Sequence, residues 1–135
     1  MPQSTTQNTP LYDAGYEIRR AVLGDAFVDA TAAQPGDVHE AFQRYIIEYC
    51  WGGCWGRDAL PRPTRSLLVL AITASLGRWD EFEIHLRGAL RNGCSVEELT
   101  DTLFHVAIYA GVPAAVSAFK YLRNVLAAEQ DQTGE

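Results

Sequence analysis

Nowhere in the 135 residues is there an apolar run of about 18 residues, the length that a membrane-crossing helix requires. Basic charge is scarce as well. Eleven Lys and Arg stand against seventeen Asp and Glu, a net charge of −6. That balance removes the electrostatic basis for binding nucleic acid or an anionic membrane surface, and neither is expected as a partner. Cysteine is limited to three residues, an odd number that suits a reducing compartment better than a disulfide framework. The opening MPQSTTQNTP has neither the basic start nor the apolar run of a secretory signal. Residues 1–10 are therefore expected to form a disordered tail, and the expected location is cytoplasmic. No stretch alternates apolar and polar residues for long enough to read as a strand, and no segment is of low complexity.

What the sequence does have is helical spacing almost throughout, in a composition that is 47% hydrophobic and able to form a sizeable core. Leu11, Ile18 and Val22 share one face of a first helix, which Gly24 is placed to end. Asp37 and Glu40 have the spacing of a capping box. They open a second helix with Val38, Phe42, Tyr45, Ile46 and Tyr49 as its stripe, and Gly52-Gly53 weakens or ends it. Pro63 suits a first helical turn. The following SLLVLAITASL, over about 64–76, is apolar nearly all round and reads as a buried central helix closed by Gly77. Asp80 with Glu83, and Ser95 with Glu98, again have capping-box spacing. They open helices over about 80–91 and 95–110, with stripes Phe82/Leu86/Ala89/Leu90 and Val96/Leu99/Leu103/Val106/Ala110. These two form a central antiparallel pair. A last helix carries Ala115, Phe119, Leu122 and Leu126. The expected fold is an all-α domain of six to seven helices over residues 11–128, with a polar tail at 129–135.

The densest local chemistry is YCWGGCW, residues 49–55. Cys50 and Cys54 are four apart with two glycines between them, whereas a dithiol redox motif needs the C-x-x-C spacing. A zinc site needs about four ligands. The other soft donors, Cys94, His39, His85 and His105, have no ligand-like spacing, so no metal is expected and the cysteines read as small buried hydrophobes. Trp51 and Trp55 are also four apart, either core packing or the wall of a pocket over a flat ligand. His85 borders the stripe of its helix and is either a satisfied structural histidine or a reactive one. His105 lies off its stripe beside Asp101 and Tyr109, at the surface or within reach of a partner. His39, in a first helical turn, is expected to be solvated. Arg62 and Arg65 stand at the start of the apolar helix, where guanidiniums and a helix N-terminus together can bind an anion or simply face water.

Five stretches, YDAGYEIRRAVLGDAFVD, WGGCW, LPRPTRSLLVLA, EIHLRGALRNG and AIYAGVPAA, occur in this order over about residues 11–125. Together they resemble the carboxymuconolactone decarboxylase family, close to its gamma-carboxymuconolactone decarboxylase branch. The resemblance implies the all-helical alkylhydroperoxidase-D-like fold and assembly as a ring, a homotrimer or homohexamer. It implies that the pair of tryptophans walls a pocket, since the C-x-x-C of the peroxidase relatives is absent. It also places an active-site histidine at His85, with Arg65, Arg62, Trp51, Trp55, His105 and Tyr109 as substrate-binding candidates. Three positions depart from the branch pattern. Phe27 stands where a histidine is usual, Gly53 where an aspartate is usual, and His105 where glutamine is more common.

The family reaction implied is cofactor-free loss of CO2 from an unsaturated lactone acid such as 4-carboxymuconolactone, in aromatic-acid catabolism. The electrons left behind flow into the conjugated carbonyl, and the resulting dienolate needs oxyanion stabilisation and then a proton on carbon. A histidine of ordinary pKa can supply that proton near neutrality, which makes His85 the expected donor. An arginine on the departing carboxylate would stabilise the ground state, so Arg65 or Arg62 is expected on the other carboxylate or the oxyanion. Two further readings stand beside this one. One is a family member recruited to another cyclic or aromatic substrate, which Phe27 and Gly53 favour, and the other is a non-catalytic oligomeric binding protein.

Overall fold

The computed structural model describes residues 7–34 and 36–133. Their secondary structure is helical, with no strand among the described residues, as the spacing predicts. The seven helices are α1 (Pro10–Leu23), α2 (Asp25–Ala32), α3 (Asp37–Ile46), α4 (Arg62–Leu76), α5 (Trp79–Arg91), α6 (Val96–Tyr109) and α7 (Val112–Thr133). A π-helical turn, Ile47–Gly52, continues α3. The chain groups into two compact units, one up to Ala59 and one from Leu60 on.

In the first unit, α1 begins at a cap that falls within the expected tail. Thr9 accepts a hydrogen bond from the Tyr12 amide, with Pro10 in the first turn. Asn8 and Thr9 are tied down further, by Arg44 and Glu48. Positions 1–6 of the expected tail lie outside the described residues. Gly24 ends α1 as expected, at a φ of 88°. The chain then turns at once into α2, a helix that periodicity does not reveal. Arg20 holds it, donating from Nε to Asp25 (2.9 Å) and from a terminal nitrogen to Asp29 (2.8 Å).

The face of α1 that carries Gly15 lies against the π-helical turn, backbone on backbone. A Cβ on Gly15 would fall on the Ile47 carbonyl oxygen and 2.6 Å from the Gly52 nitrogen, and one on Gly52 would strike the Leu11 carbonyl. Only glycine fits at either position. This approach buries Ile18, Val22, Ile47 and Trp51. The stripe expected to bury along α3 instead faces outward: Val38, Phe42, Tyr45 and Tyr49 are exposed. Gly36, not Asp37, occupies the cap position of α3, and no side chain caps it.

The second unit has its core where α4, α5, α6 and α7 meet: Leu70 and Ala74, Phe82, Leu86 and Ala89, Leu99, Leu103 and Val106, and Ala118, Leu122 and Val125. The expected stripes of α5 and α6 are buried, apart from the half-buried Leu90 and the exposed Val96 and Ala110. They converge on α4 and α7 more than on each other, because the turn between them is drawn onto the start of α4. There Asn92 donates to Ser66 Oγ (2.9 Å) and Cys94 Sγ lies 3.4 Å from the Pro63 carbonyl. The capping box at α6 is complete, Ser95 Oγ accepting from the Glu98 amide while Glu98 accepts from the Ser95 amide, each at 3.0 Å. The one expected at Asp80 is absent, since Arg78 occupies the cap of α5 and no side chain caps it. Helix α4 is not buried all round: Leu68, Ile72 and Leu76 form an exposed row along it. Helix α7 runs to Thr133, five residues into the expected tail, and Glu129 pairs with Arg87 at 3.6 Å. Among the described residues no helix is long and apolar enough to cross a membrane.

Candidate functional site

The π-helical turn sets the character of YCWGGCW. Its bonds reach back five residues, from the Gly53 amide to the Glu48 carbonyl (2.9 Å) and from the Trp55 amide to the Cys50 carbonyl (3.0 Å). Such single-turn π segments recur at functional sites because they rotate the following side chains relative to a regular helix. Here Trp51 and Trp55 both turn inward and are buried, with ring centroids 5.0 Å apart. Cys50 and Cys54, one position earlier, are consequently rotated outward. Both are exposed, which corrects the expectation that they are small core residues. Partial desolvation still raises the Cys50 thiol above its usual pKa, with Cys54 adding to the rise and Arg19 opposing it, so Cys50 has no thiolate character at neutral pH.

In the second unit, His85 lies on α5 between the fully buried Phe82 and Leu86. Its ring is mostly enclosed, and desolvation lowers its pKa to about 4 against a smaller opposing pull from Glu81 one turn earlier. The imidazole is therefore neutral at pH 7. This neutral ring differs from the imidazolium proton donor expected from the sequence. A neutral ring offers an N–H donor and a nitrogen acceptor instead.

Arg65 is buried in the first turns of α4, and its Nε donates to the Leu60 carbonyl at 3.0 Å. Part of its donor set is thus spent on the loop that leads into the helix. Arg62, the first residue of α4, is exposed. His105 and Tyr109 stand together on the outer face of α6, rings parallel within 17° and 6.4 Å apart, with Tyr109 86% exposed. His105 Nδ1 is 3.1 Å from the Asp101 carbonyl. The ring edges a groove of about 400 Å³ between α4 and α6 that His85 and Arg65 do not line. Glu98 and Asp101 line that groove too, and their charge opposes a carboxylate ligand. His39 is not simply solvated, its Nε2 lying 3.1 Å from the Thr31 carbonyl.

Two features are not visible in the sequence pattern. One is the Asn92–Ser66 hydrogen bond, through which the end of EIHLRGALRNG fastens the α5 terminus to a fully buried serine of α4. The other is Arg19. The sequence shows only a pair of adjacent arginines, and nothing in it distinguishes the surface one from the buried one except that Arg19 follows Ile18 on the inward face of α1.

Residues 40–124 match the sequence model of the Carboxymuconolactone decarboxylase family. The 4-carboxymuconolactone decarboxylase of Acinetobacter baylyi is 39% identical over 114 residues, covering 84% of this chain and 85% of that protein. The nitrosuccinic acid decarboxylase npaB of Metarhizium robertsii is 34% identical over 108 residues, covering 80% and 76% respectively. With a family match across more than half of its length and such identity along most of it, the chain belongs to the carboxymuconolactone decarboxylase family.

Proposed function

We propose that the chain is a cofactor-free decarboxylase of a small organic acid, with a lactone acid such as 4-carboxymuconolactone as its substrate and aromatic-acid catabolism as its setting. The observation that carries this reading is the enclosed, neutral His85 within EIHLRGALRNG. Two relatives of similar length bear decarboxylase names and support the reaction class. Loss of CO2 replaces a carboxylate by a proton and passes through a dienolate whose oxygen needs a hydrogen-bond donor. A neutral imidazole N–H is such a donor and needs no proton uptake before it acts. His85 accordingly stabilises the oxyanion through its N–H, in place of the imidazolium role, and water delivers the proton that carbon gains where CO2 leaves. Arg62, exposed at the N-terminus of α4, is better placed than Arg65 to meet a second carboxylate, because Arg65 already serves the Leu60 carbonyl.

A second reading has its own support. Phe27 and Gly53 replace polar residues usual in the lactone-specific branch, and one relative is named for nitrosuccinic acid, which has no lactone ring. The substrate is then another small carboxylic acid, decarboxylated through an anion stabilised in the same way. Incubation with 4-carboxymuconolactone, following its ultraviolet absorbance and CO2 release, decides between them when run beside nitrosuccinate. Turnover of the lactone supports the first reading, and turnover of nitrosuccinate alone supports the second. CO2 release from neither overturns both assignments. We also propose that the chain works as a homotrimer or homohexamer in the cytoplasm, the assembly resting on the exposed apolar rows described above.

A further inference from the structure

Adjacent arginines on α1 have opposite surroundings. Arg20 takes up the nearby acids, pairing with Asp25 and Asp29 and bonding Tyr16 at 3.0 Å. Arg19 is only 5% exposed, makes no ion pair among the described residues, and has a buried Nε with no hydrogen-bond partner. Desolvation lowers its pKa, an effect that Tyr12, Cys50 and Tyr16 partly offset, yet a guanidinium stays charged at any physiological pH. A buried cation without an ion pair carries a desolvation cost that the described residues do not repay. It is retained where something else supplies the anion.

The surroundings of Arg19 form a receptacle. A cavity of about 400 Å³ opens within the first unit between α1, α2 and α3, in the lower part of the range of small-molecule pockets. Tyr12 and Tyr16 line it with their rings stacked, centroids 6.3 Å apart and planes within 16°. Arg44, held by Asn8, lies over the Tyr12 ring at 4.7 Å and keeps that wall in place. Gln43 also lines the cavity, and its Oε1 is buried without a donor. Arg19 and Gln43 thus both line the cavity, a buried donor of the one and a buried acceptor of the other lacking partners, with aromatic surface between. Asp37 and Glu40 line the cavity as well and are exposed, and with Arg44 engaged by Asn8 and the Tyr12 ring they disfavour a second negative charge on whatever enters.

We propose that this cavity is a binding site for a small ring-bearing monocarboxylate that also carries a hydroxyl group, the carboxylate accepting from Arg19 and the hydroxyl donating to Gln43. A guanidinium matches a carboxylate geometrically, the tyrosines pack on a flat ring, and the hydroxyl satisfies the buried amide oxygen. The site makes no use of His85, so carboxylate binding and decarboxylation succeed or fail separately.

The probe is 4-hydroxybenzoate, titrated calorimetrically into the full chain beside benzoate, 4-hydroxybenzamide and terephthalate. Saturable binding of 4-hydroxybenzoate is expected, weaker by about tenfold or more for the uncharged amide, and weaker too for benzoate and for the dianion terephthalate. Arg19→Gln is expected to lose the same factor while melting, without ligand, at or above the parent temperature, since it removes an unpaired buried charge. Gln43→Leu is expected to erase the preference for 4-hydroxybenzoate over benzoate, and it provides the decisive arm where Arg19→Gln does not fold. Absence of saturable binding to the parent overturns the site. So does equal binding by a folded Arg19→Gln, or an unchanged preference in Gln43→Leu. An Arg19→Gln protein that melts several degrees lower and still binds assigns Arg19 to packing alone.

Discussion

His85 is where burial and chemistry meet most directly. Its motif is legible in the sequence, and so is its place at the edge of the α5 stripe. Its protonation state is not, because pKa follows from how completely α5 and its neighbours enclose the ring. The consequence for stability has a definite sign. The folded-state pKa of about 4 lies below the unfolded value of 6.5, so the unfolded chain binds more protons between those values. The contribution of neutral His85 is complete above pH 6.5 and is lost as pH falls through 4. The shift corresponds to about 3 kcal/mol, and thermal melts of the parent and of His85→Asn across this range should show that component only in the parent. For activity, His85→Ala should lower kcat by about 10²–10³-fold, the span for loss of one oxyanion donor. The parent's kcat should stay level from about pH 6 to 8, as a donor that is neutral throughout that range requires. A rate that declines as pH rises through 6.5 would instead mark an imidazolium donor. The cysteines lend themselves to a simpler check. Cys50 and Cys54 are exposed, with the Cys50 thiol pushed up rather than down. Changing both to serine should leave turnover within a few-fold of the parent in a side-by-side assay.

At the scale of elements, the three sites with capping-box spacing explain what sequence reading can and cannot see. Ser95 with Glu98 forms the box because Ser95 occupies the cap itself. Asp37 and Asp80 have the same spacing but fall one and two residues inside their helices, so they favour the helix N-terminus electrostatically and cap nothing. Spacing fixes that a helix begins nearby, and the exact cap depends on where the preceding chain arrives. Ser95→Ala should therefore destabilise the protein by about 1 kcal/mol, and Asp80→Ala by much less, as read from denaturant midpoints. Helix α2 escapes notice for a related reason. DAFVDATA buries only Val28, which leaves no stripe, and the Arg20 pairs that hold it are polar and so leave no mark in a hydrophobic pattern. The π-helical turn has a sequence mark only in hindsight, the glycines at 15 and 52 that let two backbones touch. Gly52→Ala would drive a methyl group into the Leu11 carbonyl. It should cost more than the roughly 0.5–1 kcal/mol that a glycine-to-alanine change ordinarily gains within a helix, with a lowered thermal midpoint and altered near-ultraviolet dichroism from the Trp51–Trp55 pair.

For the whole molecule, the apolar faces that the pattern marks and the single chain leaves open are themselves informative. The sequence marks α4 as apolar on every side and α3 as carrying a broad stripe. Taken as a single chain, those marks promise burial that the structure does not provide: Leu68, Ile72 and Leu76 on α4, and Val38, Phe42, Tyr45 and Tyr49 along α3, are exposed. Within the second unit, Phe104 and Ile108 on α6 and Val112 and Val116 on α7 add further exposed apolar surface. Hydrophobic periodicity records burial in the working assembly and does not distinguish a neighbour in the same chain from one in another copy. A net charge of −6 keeps such a protein dispersed, so specific association must come from these apolar rows rather than from attraction between charges. The proposed homotrimer or homohexamer would bury that surplus and is open to a direct measurement. Light scattering at micromolar concentration should give a mass three or six times that of the chain, largely unaffected by salt. Placing a charge in the α4 row with Ile72→Glu should dissociate the particle or lower its order, because a carboxylate buried in an apolar interface without a partner is strongly unfavourable. The same variant should keep its helical dichroism if the row serves assembly, since Ile72 is 56% exposed in the single chain. A monomeric parent, or an Ile72→Glu protein of unchanged mass, would remove this row from any interface.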